Sequence, residues 1–357
     1  MVGRGVFVIA EAGVNHNGDR ERAFELVEVA AEAGANAVKF QTFDARELVT
    51  RYALKAPYQT KGTAPGESQY EMLTSLELSH DVHRELKAYS ESIGLQFMST
   101  AFDHQSLQFL VNDLQLELLK IPSGEVTNGP LLLEYARSGR DLILSTGMCT
   151  TEEVHDALRL LQFGLIGGKD PSVENYSKII DFVEGQNLLQ QRLVLLHCTT
   201  QYPAPSESIN LRAMVQMMDK FNLRVGYSDH SKGISIPCAA VALGACVIEK
   251  HFTIDKGLSG PDHSASLEPL ELKEMVNSIR IVETALGNGV KEPQKTELEN
   301  RESSRKSLVA AKDIAHGEIF TEKNVMAKRP GTGRSPMTYW SILGTQAEKQ
   351  YKTDELI

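Results

Sequence analysis

The chain lacks a long hydrophobic run. Its most apolar stretch, residues 239–248, is about half the length that a membrane-spanning helix requires. The apolar run near the N-terminus, residues 6–10, ends at Glu11 and is too short for the core of a signal peptide. We therefore expect a soluble protein with no membrane partner.

Cysteine is also scarce. The chain has 4 cysteines, with no CxxC spacing and no disulfide-rich pattern. A scaffold held by disulfides is therefore excluded, and the reducing cytoplasm is the expected location.

An excess of positive charge is missing as well. Lys and Arg number 37 against 47 Asp and Glu, which gives a formal charge of -10. Nucleic acids require clustered basic residues, so we expect no nucleic-acid partner. A small anionic substrate remains compatible with this charge if basic residues are concentrated locally.

Short apolar runs that end in polar clusters recur eight times along the chain. Each is short enough for a strand that is buried on both faces. The runs are VFVIAEAG (6–13), AVKFQTF (37–43), LQFMSTAF (95–102), LLKIPSGE (118–125), DLILSTGM (141–148), LVLLHCTT (193–200), LRVGYSDH (223–230) and CVIEKHFT (246–253).

Amphipathic stretches of helical length separate these runs, and an eighth such stretch covers residues 269–286. Alternation of strand and helix over about 250 residues predicts an α/β fold of the (β/α)8 TIM-barrel type. An open doubly wound sheet is the alternative. Residues 44–80 and 164–190 interrupt the repeat, and we expect both to be loops more than helices.

The domain organisation is predicted from the end of the repeat. A barrel domain covers residues 1–287, a linker 288–304, and a small C-terminal β-rich domain 305–357. About 50 residues form a marginal core, so we expect the small domain to pack against a barrel, its own or that of a neighbour.

In a barrel, polar side chains at the C-terminal strand ends converge on one mouth. Lysines, hydroxyls and glycine-flanked N–H groups there suit a phosphate and a carboxylate. The residues expected to converge are Glu11, Lys39, Gln41, Thr100, Lys120, Ser123, Glu125, Ser145, Thr146, Tyr202, Ser228, Asp229, His230 and His251.

Lys39 and Lys120 lie inside apolar strands, where an unpaired ammonium is costly. Either could instead be a structural lysine paired with a barrel glutamate. His230 and His251 end neighbouring strands and could share a divalent metal, with water and substrate completing the ligands. Hydrogen-bonded core or acid–base histidines are the alternative. His16, in NHNG, is interpreted as a turn residue.

The ordered motifs resemble those of the sialic acid synthase family over nearly the whole chain. The tail, with KRPGTGRSPM, resembles that family's antifreeze-like (SAF) domain. The motifs that carry the resemblance are EAGVNHNGD, VKFQTF, KIPSGE, LSTGM, LLHCTTQYPAP, GYSDH, EKHFT and SGPDHSASLEP.

The resemblance implies a metal-dependent condensation of phosphoenolpyruvate with an N-acetylmannosamine-type aldehyde, which releases phosphate by C–O cleavage. His230 and His251 would hold the metal, Mn²⁺ first, with Mg²⁺ or Co²⁺ as alternatives. Glu11 would orient metal, water or phosphate, and Glu125 would serve proton transfer or sugar binding. Phosphate and carboxylate would be held by Lys39, Thr100, Lys120, Ser123, Ser145 and Ser228.

The resemblance also implies a sugar subsite and a dimer. Gln41, Tyr202 and Asp262 match positions that face the sugar, and Arg329 matches an arginine that contacts the N-acyl group in a neighbouring subunit's site. We therefore expect a domain-swapped homodimer.

Two substrates remain open within the family. N-acetylneuraminate synthesis, the family's general activity, comes first. The strings APYQ and GACVIEKHFT favour N,N'-diacetyllegionaminate synthesis from 2,4-diacetamido-2,4,6-trideoxymannose.

Two further classes of protein are alternatives to these synthases. One condenses phosphoenolpyruvate with a sugar phosphate, which would not need this tail. The other is a sugar- or ice-binding protein, which has no reason to gather lysines, histidines and glutamates at strand ends.

Overall fold

A computed structural model describes residues 5–60, 63–64, 66–179 and 183–357. The chain divides into two compact units between Gly287 and Asn288. We describe each unit by itself.

The first unit is a closed barrel of parallel strands joined in sequence order, with β8 hydrogen-bonded to β1. This confirms the predicted TIM barrel and excludes the open sheet. Strands β1 to β8 are Phe7–Gly13, Ala37–Thr42, Gln96–Ala101, Leu118–Ile121, Asp141–Ser145, Leu193–Cys198, Arg224–Asp229 and Val247–His251.

Helices surround the barrel, and within the described ranges none is long and apolar enough to cross a membrane. Helices α1 to α12 are Arg20–Glu32, Ala45–Leu48, Gln69–Ser75, His80–Ser92, His104–Gln108, Gly129–Arg137, Thr151–Leu165, Val173–Ser177, Val183–Arg192, Leu211–Phe221, Ser235–Ala242 and Pro269–Leu286.

The alternation of side chains along the strands separates two cores. Inward residues such as Ile9, Met98 and Val247 fill the barrel interior, whereas Val8 and Ile248 pack outward beneath the helices. Because the strand period is two, each inward apolar residue predicts an inward residue two positions later. This rule sets which strand residues reach the mouth.

The interruption at residues 44–80 is mostly loop, as expected, and carries the short helices α2 and α3. The described part of 164–190 is mostly helical, so the expectation of loops more than helices was wrong there. Asp44 caps α2, and Ser68 and Glu71 form a reciprocal capping box at the start of α3. These caps satisfy backbone N–H groups and let very short helices form in a polar stretch. In the second interruption, residues 180–182 lie outside the described residues.

The second unit is small and β-rich, as predicted. Strands β9 (Ser307–Ala310) and β10 (Val325–Lys328) pair antiparallel, and a short helix α14 covers Tyr339–Ile342. Its own apolar cluster includes Leu308 and Phe320. The segment predicted as a linker contains a helix, α13, at Lys295–Ser304.

Candidate active site

A cavity of about 360 Å³ opens at the C-terminal ends of the barrel strands. It is lined by all of the residues predicted for the site in the barrel except Thr146 and Asp229. The predicted residues that line it are Glu11, Lys39, Gln41, Thr100, Lys120, Ser123, Glu125, Ser145, Tyr202, Ser228, His230, His251 and Asp262. Their individual roles stay predictions.

Two buried lysines and two buried glutamates form the inner cluster at the base of this cavity. Lys39 Nζ donates to Thr100 Oγ1 at 2.8 Å and forms an ion pair with Glu11. Lys120 Nζ lies 3.2 Å from Glu249 Oε1, and Lys39 Nζ lies 3.7 Å from Glu249 Oε2. Each lysine is therefore paired with a glutamate and also lines the cavity. The pairing and the position at the site, which the sequence offered as alternatives, occur together.

Glu249 lines the same cavity and was missed by the sequence interpretation. It accepts a hydrogen bond from Ser228 Oγ at 2.9 Å and lies between the two lysines. The signal was present, since Val247, Glu249 and His251 alternate along one strand and share the inward face.

The charges of the inner cluster perturb one another. Burial raises the pKa of Glu11 to about 7, against the opposing attraction of Lys39. Burial also opposes ionisation of Glu249, but the attraction of Lys120 and Lys39 prevails and lowers the pKa of that carboxyl. Burial is therefore the larger influence at Glu11, whereas the attraction of the two lysines is the larger influence at Glu249.

Hydroxyl groups surround the lysines on the side of β4 and β5. Ser123 Oγ accepts a hydrogen bond from the Gly147 N–H at 2.9 Å and lies 3.2 Å from Cys198 Sγ. Ser145 Oγ is buried and has no hydrogen-bond partner among the described residues. A buried polar atom without a partner is costly unless a ligand completes it. Ser145 therefore marks a place for a hydrogen-bonding ligand group.

His230 and His251 lie side by side, with ring centroids 5.4 Å apart. His230 Nδ1 lies 2.7 Å from the Thr199 carbonyl oxygen, to which it donates, so Nε2 keeps its lone pair. His251 Nδ1 is buried and has no hydrogen-bond partner among the described residues, and it lies 3.8 Å from Asp262 Oδ2.

Burial keeps both rings neutral. It lowers the pKa of His230 to about 4 and the pKa of His251 well below its usual range. It raises the pKa of Asp262 to about 6. Neutral imidazoles with free lone pairs suit a divalent cation.

The donor set for such a cation is incomplete within the protein. Across the described residues, no group of three or more His, Cys, Asp or Glu side chains is arranged to hold a metal ion. The two imidazoles nevertheless fit a site whose other ligands are water and substrate oxygen, as in open catalytic centres. The unpartnered His251 Nδ1 is the observation that carries this fit.

Aromatic side chains cover the histidines. Tyr202 packs on His230 with ring centroids 4.1 Å apart and meets His251 edge-on at 5.6 Å. Tyr58 stacks on Tyr202 at 4.7 Å. At the rim, Glu125 accepts a hydrogen bond from Asn128 Nδ2 at 2.7 Å.

Some predicted residues lie elsewhere. Asp229 does not reach the mouth, because alternation turns it to the outer face, where it pairs with Lys250 at 2.5 Å. Thr146 does not line the cavity either, since its hydroxyl donates to the Leu196 carbonyl at 2.9 Å. Arg329 belongs to the second unit, where Nε donates to the Ser304 carbonyl at 3.0 Å.

Comparisons with known proteins agree on one family. The model of the NeuB family matches residues 26–291. The N,N'-diacetyllegionaminic acid synthase of Campylobacter jejuni is 50% identical over 350 residues, which cover 98% of each chain. The enzyme of the same name from Legionella pneumophila is 47% identical over 340 residues, 95% of this chain and 90% of the relative.

A solved structure gives the same result. The N-acetylneuraminic acid (sialic acid) synthetase of Leptospira borgpetersenii, in complex with citrate, superposes with a TM-score of 0.68. It is 33% identical, and the match covers 83% of this chain and 90% of that one. The chain therefore belongs to the NeuB family, the sialic acid synthase family that its motifs predicted, and is an enzyme.

Proposed function

We propose that the protein condenses phosphoenolpyruvate with 2,4-diacetamido-2,4,6-trideoxymannose to give N,N'-diacetyllegionaminate and phosphate. The observation that carries the proposal is the identity of 50% and 47% to two proteins named N,N'-diacetyllegionaminic acid synthase. Both matches extend over nearly the full length of this chain.

This assignment reverses the order suggested by the sequence, which placed N-acetylneuraminate synthesis first. That activity remains the second candidate. Its support is the 33% identity to the Leptospira sialic acid synthetase, which is lower than the identity to the legionaminic acid synthases.

The inner cluster supplies the anion site in this proposal. Lys39 and Lys120 are held by buried carboxylates, so their ammonium groups are fixed before substrate arrives. Phosphate and carboxylate oxygens of the substrate would replace some of the contacts between these lysines and the buried carboxylates. They would also form a hydrogen bond with Ser145 Oγ. Thr100, Ser123 and Ser228 would add hydrogen bonds to the same anions.

The reaction forms one C–C bond, and at C2 it replaces the C–O bond to phosphate with a C–O bond to the oxygen of water. C3 of phosphoenolpyruvate attacks the aldehyde carbon, water adds to C2, and the resulting tetrahedral carbon expels phosphate to leave the 2-keto acid. The lysines stabilise negative charge on the leaving phosphate. Glu11, whose pKa is about 7, is suited to exchange a proton with water or phosphate, and Glu125 would do so nearer the sugar.

His230 and His251 would hold a divalent cation, Mn²⁺ first and Mg²⁺ or Co²⁺ as alternatives. When bound, such an ion polarises an aldehyde oxygen. His230 is oriented by the Thr199 carbonyl, and Tyr202 shields both rings from water. Calorimetric titration of the metal-free protein with Mn²⁺ tests this site, and His251→Gln should abolish the binding heat.

Arg329 from a second copy would complete the sugar subsite formed by Gln41, Tyr202 and Asp262. Its guanidinium is exposed within the second unit, which in this proposal is an antifreeze-like domain exchanged between subunits. Arg329→Ala should raise KM for the amino sugar while leaving KM for phosphoenolpyruvate unchanged. An unchanged KM for the sugar would reject the exchange.

The function is tested by phosphate release from phosphoenolpyruvate with Mn²⁺ present. The acceptors are 2,4-diacetamido-2,4,6-trideoxymannose, N-acetylmannosamine and mannose 6-phosphate, each assayed separately. The proposal predicts the highest kcat/KM with the first acceptor. A preference for N-acetylmannosamine would select the second candidate, and release with none of the three would reject both.

A further inference from the structure

One side of the active-site cavity is apolar, and it is built by the segment between β2 and α4. We call this side the apolar wall. It consists of cavity-lining residues from α2, α3 and the residues that end them, namely Leu48, Val49, Met72, Leu73 and Leu76.

The apolar wall is a packed structure and not a loose loop. Its members join Val14, Phe43 and Ala45 in an apolar cluster separate from the main core. Asp44 caps α2, and the Ser68–Glu71 capping box fixes the start of α3. A packed wall of this kind presents a defined surface to a ligand.

Charged and imidazole side chains line another part of the same cavity. Lys39 and Lys120 lie at its base, and His230 and His251 follow at the ends of β7 and β8. If phosphoenolpyruvate occupies the lysines, the aldehyde carbon of the acceptor lies near the histidines. The apolar wall lines the same cavity and offers an apolar surface to the far end of the open-chain sugar.

An aromatic contact ties the wall segment to the histidines. Tyr58 comes from the same segment and stacks on Tyr202, which packs on His230. The segment that carries the wall is therefore in contact, through Tyr58, with the side chain that packs on His230.

We propose that the apolar wall receives the C6 methyl group of the acceptor sugar and so selects 6-deoxy over 6-hydroxy substrates. The proposal rests on the proposed function. A C6 hydroxyl against Leu48 and Val49 would lose its water without gaining a partner. Apolar pockets discriminate by a methyl or hydroxyl group only modestly, by about 10- to 200-fold.

The sharpest test uses two acceptors that differ at C6 alone. These are 2,4-diacetamido-2,4,6-trideoxymannose and 2,4-diacetamido-2,4-dideoxymannose, and the readout is the ratio of their kcat/KM values. The wild type should prefer the 6-deoxy sugar by at least about tenfold. Val49→Thr keeps the side-chain shape and adds a hydroxyl, and it should reduce this ratio severalfold, mainly through KM.

Leu48→Gln provides a second variant on the same surface, in case Val49→Thr is poorly folded. Leu54→Gln is the matched control, because Leu54 lies in the same segment but is exposed and does not line the cavity. It should leave the ratio at the wild-type value. Circular dichroism melting of each variant monitors folding.

The outcomes separate the two proposals. No turnover of either diacetamido sugar by the wild type would reject the proposed function. Turnover of both sugars with a kcat/KM ratio near one would reject the proposed role of the apolar wall but not the proposed function. The wall is also rejected if Val49→Thr and Leu48→Gln fold and keep the wild-type ratio, or if both sugars lose activity equally.

Discussion

The barrel buries lysine–carboxylate pairs on both faces of its strands, and the two faces use them differently. On the outer face, Lys250 donates to Asp229 at 2.5 Å and also to the Ser231 carbonyl, while Ser231 donates twice to Asp229. We call this the outer pair. Its hydrogen-bonding groups are matched within the protein.

The inner cluster also contains lysines and carboxylates, but it borders a cavity in which not every described hydrogen-bonding group has a partner. Lys39 and Lys120 line a cavity, and Ser145 Oγ, which lines the same cavity, has no partner among the described residues. Full internal matching indicates a structural role, whereas charge next to an unmatched donor and empty volume indicates a ligand site.

The largest effect is expected at the outer pair. Lys250→Met leaves Asp229 as a buried carboxylate without its cation, which costs on the order of 3–5 kcal/mol of unfolding free energy. Denaturant unfolding monitored by circular dichroism measures it. The double variant Lys250→Met with Asp229→Leu should recover part of the loss. A stable single variant would mean that the outer pair does not hold β7 to β8.

The inner cluster should respond in activity more than in stability. In Lys120→Met, Glu249 keeps Lys39 at 3.7 Å, so the fold retains a counter-charge. Loss of one charged donor to the transition state should lower kcat/KM for phosphoenolpyruvate by about 10²- to 10³-fold. Steady-state kinetics and a thermal melt on the same preparation measure both quantities. A large fall in melting temperature with normal kinetics would reverse the comparison.

Ser145, at the end of β5, allows the comparison between matched and unmatched hydrogen-bonding groups to be made at a single hydroxyl. Ser145→Ala removes a buried hydroxyl that has no partner in the free protein, so stability should not fall. A lost hydrogen bond to a charged ligand, about 1.5–3 kcal/mol, should raise KM for phosphoenolpyruvate by at least about tenfold.

The matched control is the next residue, Thr146, whose hydroxyl donates to the Leu196 carbonyl and does not line the cavity. Thr146→Val should lower stability and leave KM unchanged. The same response from both variants would remove the distinction between matched and unmatched hydroxyls.

His16 shows a third way to bury a titratable group, which is to keep it uncharged. Burial lowers its pKa to about 3, and Nδ1 accepts the Gly18 N–H at 3.0 Å. The unfolded state therefore takes up a proton first as the pH falls below about 6.5. The stability from His16 is complete above that pH and is lost progressively down to about pH 3.

The variant His16→Asn tests this dependence, because the amide oxygen can accept the same hydrogen bond. Between pH 6 and pH 5, wild-type unfolding free energy should fall by about 1.2 kcal/mol more than that of the variant. Equal falls would show that His16 is protonated in the folded protein.

The sequence predicted the fold well because the barrel repeats one simple pattern. Buried parallel strands are short apolar runs, and residues such as Lys39 and His251 stand out at their ends. The interruptions were harder to interpret. Their helices α2 and α3 depend on caps at Asp44 and Ser68 and on packing with distant residues such as Val14.

The errors at the site have a common physical cause. Asp229 was placed in the mouth and Glu249 was missed, because polar residues near strand ends were grouped without assigning each to a face. The period of two would have separated them, since Val247 and His251 fix the inward face for Glu249. By contrast, no local pattern distinguishes Arg329 from an ordinary surface charge.

Calorimetric titration with phosphoenolpyruvate tests the central claim that the inner cluster is a substrate anion site. The titration compares the wild type with Lys120→Met under identical salt and metal conditions. We predict at least about tenfold weaker binding in the variant, because a charge-assisted contact is lost. Equal affinity in a folded Lys120→Met protein would contradict the account.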